Sequence, residues 1–111
     1  MSKTKIDKRP LVLGLLCDAI DDERIKRNDL TILLRLCERY SPKLGYASHG
    51  YAYLRRIYKG DKPLNPSTVA RAVHRLMKHG YIRRSYKGYS HPNGKTRWSR
   101  YIPRGFAELQ G

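Results

Sequence analysis

The sequence predicts a mainly α-helical domain of the α+β class, in which about four helices precede a two-stranded β-hairpin. Apolar residues recur at helical spacing through most of the chain, whereas two runs of strand-forming residues lie close to its C-terminus. Clusters of turn residues separate these segments. With 111 residues, the chain has the length of one domain, residues 1–111, with room for a single core.

The first two predicted helices lie in the N-terminal part of the chain. One runs from about residue 8 to residue 20, with Asp7 as its cap, within an N-terminal extension over residues 1–27. The next begins after its predicted cap, Asn28, and ends at Ser41, because the residue before a proline is driven out of helical geometry. Its apolar residues form two stripes. We therefore expect burial on two sides, by the core and by either the first helix or a partner chain.

Two further helices are predicted over about residues 49–58 and residues 66–79. The last of these four is the best defined. Asn65 is a good N-cap, Pro66 occupies the first helical position, where proline is favoured, and Gly80 supplies a left-handed stop.

Two strands are predicted after the fourth helix, over residues 81–87 and 96–102, with turn residues in the loop between them. Tyrosines and Trp98 interleave with arginines in this region. The favoured interpretation is that these aromatics pack the sheet against the helices, with Tyr86 and Tyr89, nearest the loop, as exceptions. The alternative is stacking on unpaired bases, as in proteins that bind single strands or RNA.

The positive charge of the chain is concentrated in its C-terminal part. The formal net charge is +15, of which residues 1–40 contribute +2 and residues 41–111 contribute +13. Such a surplus repels itself in the compact state, which indicates an anionic partner. A surface that only confers solubility is the alternative, but solubility is normally served by mixed charges.

The fourth predicted helix separates an apolar side from a cationic side. On a helical wheel, the apolar side consists of Val69, Ala72, Val73, Leu76 and Met77. The opposite side consists of Ser67, Thr68, Arg71, His74, Arg75 and Lys78, and residues 66–79 contain no acid. Arginine binds guanine bidentately, hydroxyls reach bases or phosphates, and a carboxylate would be repelled. The pattern therefore favours a helix that enters the major groove of DNA over a solvated face, which normally mixes acids with bases.

Residues 66–84 resemble the recognition helix and first wing strand of winged helix-turn-helix regulators of the MarR-like and PadR-like types. In that pattern Ser67-Thr68-Val69 opens the recognition helix, Leu76 packs it on the core, and Gly80-Tyr81-Ile82 turns into the wing. Residues 97–105 resemble the returning wing strand and the exit that follows it. The resemblance covers roughly residues 28–109 and is specific in residues 65–84.

The resemblance implies a winged helix-turn-helix core over residues 28–111, with a wing at about residues 81–102 and residues 51–58 as the supporting helix. Two groups of side chains would contact DNA. Ser67, Thr68, Arg71 and Arg75 would face bases, with His74 and Lys78 toward groove walls or phosphates. Arg84, Lys87, Tyr89, His91, Lys95 and Arg97 would form a wing that reaches phosphates or the minor groove.

The chain departs from the family pattern in two ways. The segment over residues 59–65 is longer than the usual tight turn between the two helices. The sequence also ends at Gly111 without the long C-terminal helix that many of these regulators use to dimerise. We therefore expect a homodimer formed through the N-terminal helices.

Other classes of site find little support in the sequence. Cys17 and Cys37 lack the spacing of a zinc site and are predicted to be small core residues, with a mutual disulfide as the alternative. The histidines show no metal-ligand spacing. Acids are nearly absent after residue 40, and no phosphate-binding loop is present, so we expect neither catalysis nor a cofactor, metal or small-molecule ligand.

The expected location is the cytoplasm, in association with the nucleoid. The longest apolar stretch, residues 11–17, is far shorter than the roughly 20 residues that a membrane-spanning helix needs. No small-residue cleavage site follows that stretch, which disfavours a secretory signal.

The function predicted from these features is sequence-specific binding of double-stranded DNA, as a transcriptional regulator. The alternative is a non-catalytic architectural, segregation or replication protein that coats or spreads on DNA. A structured-RNA binder is a further alternative.

Overall fold

The computed structural model of the chain describes residues 7–48, 64–90, 94 and 96–108. These residues form an α+β domain that contains three of the four predicted α-helices. The predicted helix over residues 49–58 lies outside the described residues, and the helix predicted as the fourth is therefore α3. The helices are α1 (Arg9–Ile20), α2 (Arg27–Arg39) and α3 (Pro66–Lys78), and a 3-10 turn covers Phe106–Glu108.

The strands of the described segments are β1 (Ala47–Ser48), β2 (Ile82–Tyr86), β3 (Tyr89–Ser90), β4 (Thr96–Arg97) and β5 (Arg100–Pro103). An antiparallel sheet has the order β1-β5-β2, and β3 pairs with β4 separately. The predicted two-stranded hairpin is therefore divided into an inner part, β2 with β5, and an outer part, β3 with β4. Strand β1 is a third strand of the inner sheet and was not predicted. It joins the sheet because a turn closed by Ser41 and Tyr46, with Gly45 at φ +82°, brings Ala47 opposite Tyr101.

The ends of α3 follow the sequence signals closely. Asn65 Oδ1 accepts the backbone N–H of Ser67 at 3.2 Å, and Pro66 opens the helix. At the other end Gly80 has φ +81° and donates to the carbonyl of Met77, while Tyr81 donates to the carbonyl of Leu76 at 2.9 Å. These two bonds form a Schellman motif, which only a residue tolerant of positive φ can close. The predicted start and stop of this helix are confirmed.

The start of α2 differs from the prediction. The helix begins at Arg27, so Asn28 lies within its first turn and is not its cap. Asp29 supplies the cap interaction instead, because its Oδ2 accepts the backbone N–H of Lys26 at 2.9 Å. A carboxylate in the first turn also interacts favourably with the helix dipole.

Helix α2 is central to the core, where it contacts α1, α3, β1 and β5. Its predicted burial on two sides is confirmed, with α1 covering one of them. The Tyr40 hydroxyl after α2 donates to the carbonyl of Phe106 at 2.9 Å, which attaches the C-terminal turn to this core. The apolar residues with the least exposure are Ala19, Ile32, Leu33, Leu36, Cys37, Ala47, Val69, Leu76 and Phe106.

The two cysteines differ in their surroundings. Cys37 is buried in the core as predicted, but Cys17 is exposed on α1, so its predicted core position is wrong. Both are free thiols. The apolar pattern of α1 misled the prediction because it continues around the helix, and only Leu15 and Ala19 of this helix are fully buried.

We expect Cys17 to react much faster than Cys37 with a chromogenic disulfide reagent at about pH 8. Burial raises the pKa of the Cys37 thiol to about 12, so its reactive thiolate is almost absent. At a protein concentration low enough for a dimer through α1 to dissociate, the native protein should release one equivalent of chromophore quickly and the second only after denaturation. Cys17→Ser should remove the fast phase. Rapid release of two equivalents by the native protein would contradict the burial of Cys37.

Gly88 marks the point at which the inner and outer parts of the hairpin meet. Its N–H donates to Ser99 Oγ at 2.8 Å. A Cβ atom on this residue would overlap the carbonyl oxygen of Arg97 and lie 2.5 Å from the backbone nitrogen of Ser99. The backbone at Gly88 therefore crosses the backbone of residues 97–99 at a separation that leaves no room for a side chain at position 88.

Gly88→Ala is expected to lower the free energy of unfolding by about 1–3 kcal/mol, because the overlap is with backbone atoms that must move apart. Urea denaturation followed by circular dichroism measures this change. A Gly88→Ala variant as stable as the native protein would contradict the close approach of the two backbone segments.

Candidate nucleic-acid interface

Helix α3 presents the polar face that the helical wheel predicted. Its apolar side is in the core, with Met77 half-buried at the edge. On the opposite side Ser67, Arg71, His74 and Lys78 are exposed, and Thr68 is half-buried. A shallow depression of about 540 Å³ lies along this face, lined by Ala70, Arg71, His74, Arg75, Lys78 and His79.

Arg75 differs from the other cations of this helix. Its Nε atom lies 3.0 Å from Oδ2 of Asp29, and the side chains of Arg75 and Asp29 are 24% and 1% exposed. The contact is an ion pair without the alignment of a hydrogen bond. Arg75 thus attaches α3 to the first turn of α2, where Asp29 also accepts the N–H of Lys26. Arg75 was predicted to face bases, and no sequence pattern indicated this ion pair with Asp29.

The hairpin adds further cations at the surface. Arg84, Lys87, Tyr89 and Arg97 are exposed, and Tyr89 is paired with Arg97 across the outer strands. The structure therefore brings these four predicted wing residues into one hairpin. The other two predicted wing residues, His91 and Lys95, lie outside the described residues.

Acidic groups are scarce around this surface. Among the described residues from 64 onward, Glu108 is the only carboxylate. The exposed cations of the same segments are Arg71, Lys78, Arg83, Arg84, Lys87, Arg97 and Arg104. Arg104 is paired with Asp18 of α1. The other cations give the surface of α3 and the hairpin an excess of positive charge.

Acids of α1 and its C-terminal turn are engaged with the base of the hairpin. The Tyr81 hydroxyl donates to Asp22 Oδ2 at 2.7 Å, and Arg104 Nη2 donates to Asp18 Oδ2 at 2.9 Å. Hydrogen bonds from Arg24 and then from Tyr81 hold the pKa of Asp22 well below its usual range. The Arg104 guanidinium also lies 4.8 Å from the centre of the Tyr81 ring. Sequence reasoning missed this cluster because its members are separated by up to 86 positions.

The aromatic residues of the hairpin divide into two groups. Tyr81 and Tyr101 are buried against the helices, as the favoured interpretation predicted. Tyr86 and Tyr89 are exposed, as predicted for the residues nearest the loop. Trp98 is 53% exposed and does not pack the sheet against the helices, so the packing interpretation is wrong for this residue.

The described segments contain no group of three or more His, Cys, Asp and Glu side chains that could hold a metal ion. None of the helices formed by these segments is long and apolar enough to cross a membrane.

No family model, no curated protein and no solved structure matches this chain.

Proposed function

We propose that this protein is a sequence-specific, double-stranded DNA-binding protein of the winged-helix type that acts as a transcriptional regulator. The observation that carries the proposal is the exposed face of α3, which offers Arg71, His74 and Lys78 without a carboxylate in the helix. A single α-helix fits the major groove, which is about 12 Å wide. Such a face is suited to binding there without catalysis, and no step in this function needs a cofactor.

Some exposed side chains of α3 would contact bases and others would contact phosphates. Ser67 and Arg71 are exposed in the N-terminal half of the helix, which is the half that contacts base edges in helix-turn-helix proteins. Thr68 is half-buried and has less reach. Lys78 lies in the last turn, where it is placed for a phosphate at the groove wall.

The hairpin of β2–β5 would serve as the wing. Arg84, Lys87 and Arg97 are exposed on it, and a flexible cation beside the duplex gains affinity by releasing condensed counterions. This contribution does not depend on sequence. The wing would therefore strengthen binding to every duplex, while α3 selects among them.

The experiment that tests the proposal is selection from a randomised duplex-DNA pool in about 0.15 M salt, with an RNA duplex as competitor. Enrichment of a short motif supports the regulator. If the RNA competitor prevents retention of DNA, the DNA assignment is wrong. Retention without enrichment overturns sequence specificity and favours the second candidate function.

That second candidate is an architectural, segregation or replication protein that coats DNA. The tie between Arg75 and Asp29 favours it, because it removes one arginine from the set available to read bases. The phosphate-directed cations of the hairpin are unaffected. A footprint that lengthens as protein concentration rises distinguishes this function from binding at a discrete site.

A homodimer through α1 would match the two-fold symmetry of a palindromic site. The outer face of this helix is apolar, with Leu13 and Ile20 each 64% exposed and with Gly14 and Cys17 between them. Small residues at the centre of such a face allow two helices to approach closely. Sedimentation should therefore show a dimer for the native protein.

Leu13→Glu is expected to convert this dimer to a monomer, because it would place two carboxylates in an apolar contact. Leu44→Glu is the matched control, since Leu44 is 61% exposed but lies in the turn after α2. Mild oxidation should also link two native chains through Cys17. If both glutamate variants sediment like the native protein, α1 is not the interface.

A further inference from the structure

The solvent-facing side of the three-stranded sheet carries a group of aromatic and arginine side chains apart from α3. Tyr46, Ser48, Tyr86, Arg97, Trp98 and Arg100 line a hollow of about 290 Å³. We call this group the sheet platform. It does not depend on the function proposed for α3.

The strand register explains why these side chains share one side. Arg100 is opposite Ser48 on β1 and opposite Tyr86 on β2, so all three project to the same face. The neighbouring residues Ala47 and Tyr101 are paired with each other and lie in the core. Alternation along β5 thus assigns Tyr101 to the core and Arg100 to the platform. On β2 a register shift between Arg84 and Tyr86 brings Tyr86 to the side of Arg100.

Arg100 organises the platform. Its guanidinium carbon lies 4.5 Å from the ring centre of Tyr46 and 5.2 Å from that of Tyr86. Both distances are within the range of cation–π attraction, which holds a planar cation between two rings. The rings contact the flat faces of the guanidinium, whereas its N–H groups lie in the plane at its edge. Arg100 can therefore still donate hydrogen bonds to an anion.

The exposed rings beside this cation are unusual for a surface. Trp98 is 53% exposed and Tyr86 is 37% exposed, although burying such rings is favourable. No carboxylate is among the described residues that line the hollow. Flat aromatic rings next to cations without acids match a ligand that has flat bases and a phosphate backbone.

We propose that the sheet platform binds single-stranded DNA. Unpaired bases stack on Trp98 and Tyr86, and the adjacent phosphates accept hydrogen bonds from Arg97 and Arg100. Bases in a duplex are already stacked and do not offer their faces to these rings. The platform therefore prefers single strands to duplexes. The cationic face of α3 alone does not provide that preference.

The chain provides its own probe, because Trp98 is its single tryptophan. Titration of the full chain with oligo-dT of about 12 nucleotides should quench Trp98 fluorescence to saturation, since one such strand spans a typical single-strand site. Inorganic polyphosphate supplies the same kind of charge without bases and should leave the fluorescence almost unchanged. Equal quenching by polyphosphate, or none by oligo-dT, would overturn the proposal.

Variants separate stacking from charge. Tyr86→Ala should weaken oligo-dT binding roughly 5- to 150-fold, the range for loss of one base–aromatic contact, and Tyr86→Phe should restore it. Arg100→Gln should weaken binding more than Arg83→Gln, which removes the same charge from the same sheet outside the platform. Equal losses for the two arginine variants would mean that only overall charge matters, and the platform would be disproved.

Competition identifies the nucleic acid. A hairpin duplex should compete poorly for the quenched state, and duplex competition as strong as that of oligo-dT would refute stacking on unpaired bases. Binding of oligo-dT at least as tight as that of oligo-rU supports the assignment to DNA. Clearly tighter binding of oligo-rU would overturn it in favour of RNA.

Discussion

Arg75→Ala is expected to lower the free energy of unfolding by about 3 kcal/mol, because it leaves the buried carboxylate of Asp29 without its cation. The value is at the lower end for a broken buried ion pair, since 24% of the Arg75 side chain remains in solvent. Urea denaturation followed by circular dichroism at neutral pH measures the change. The same variant removes a guanidinium beside the proposed reading face, so stability must be measured before any loss of DNA binding is interpreted.

Arg71→Ala provides the control within the same helix. Arg71 is exposed, and its removal should change the free energy of unfolding by no more than about 0.5 kcal/mol. A double-mutant cycle with Asp29→Ala isolates the coupling between Arg75 and Asp29. If Arg75→Ala and Arg71→Ala unfold at the same urea concentration, the ion pair does not contribute to stability.

The same Arg71→Ala variant is expected to lose roughly 5- to 150-fold in affinity for a selected duplex, equivalent to about 1–3 kcal/mol for loss of a bidentate contact to guanine. Its affinity for random duplexes should change much less. Fluorescence anisotropy with both duplexes, at several salt concentrations, measures the two losses.

Lys87→Ala is the comparison that separates base recognition by α3 from general attraction to phosphates. A wing contact to phosphate should weaken all duplexes alike, and its loss should reduce the slope of log affinity against log salt by about one unit. If Arg71→Ala and Lys87→Ala weaken the selected and random duplexes to the same extent, α3 does not read bases.

The parts of the fold that could be predicted are those with local signals. Helix α3 is such a case, because Asn65, Pro66 and Gly80 each act within a few residues of the position that they determine. The start of α2 was less well predicted, since Asn28 and Asp29 are both good capping residues at neighbouring positions. Only the carboxylate that reaches back to the N–H of Lys26 decides between them.

The parts that could not be predicted depend on contacts between distant residues. Strand β1 is two residues long and has no periodicity of its own, so its place beside β5 follows only from the turn before it. The hairpin is interrupted because Gly88 crosses the backbone of Arg97 to Ser99, a contact that sequence spacing does not encode.

The candidate site shows the same division. The polar side of α3 could be predicted from helical periodicity, and Ser67, Arg71, His74 and Lys78 are exposed accordingly. The ion pair between Arg75 and Asp29 joins residues on two helices, and Trp98, which lies between β4 and β5, is exposed. Each observation changes the role predicted for one side chain and leaves the predicted fold as it is.

The ion pair between Asp29 and Arg75 also sets a practical boundary for protein engineering. Positions 67, 71, 74 and 78 are exposed and can be randomised together in a library that seeks altered DNA preference. Position 75 should be kept as arginine, since a replacement there is expected to cost about 3 kcal/mol of stability, which would confound a selection for DNA preference. A library that varies these four positions and keeps Arg75 therefore retains more stable members for the same number of clones.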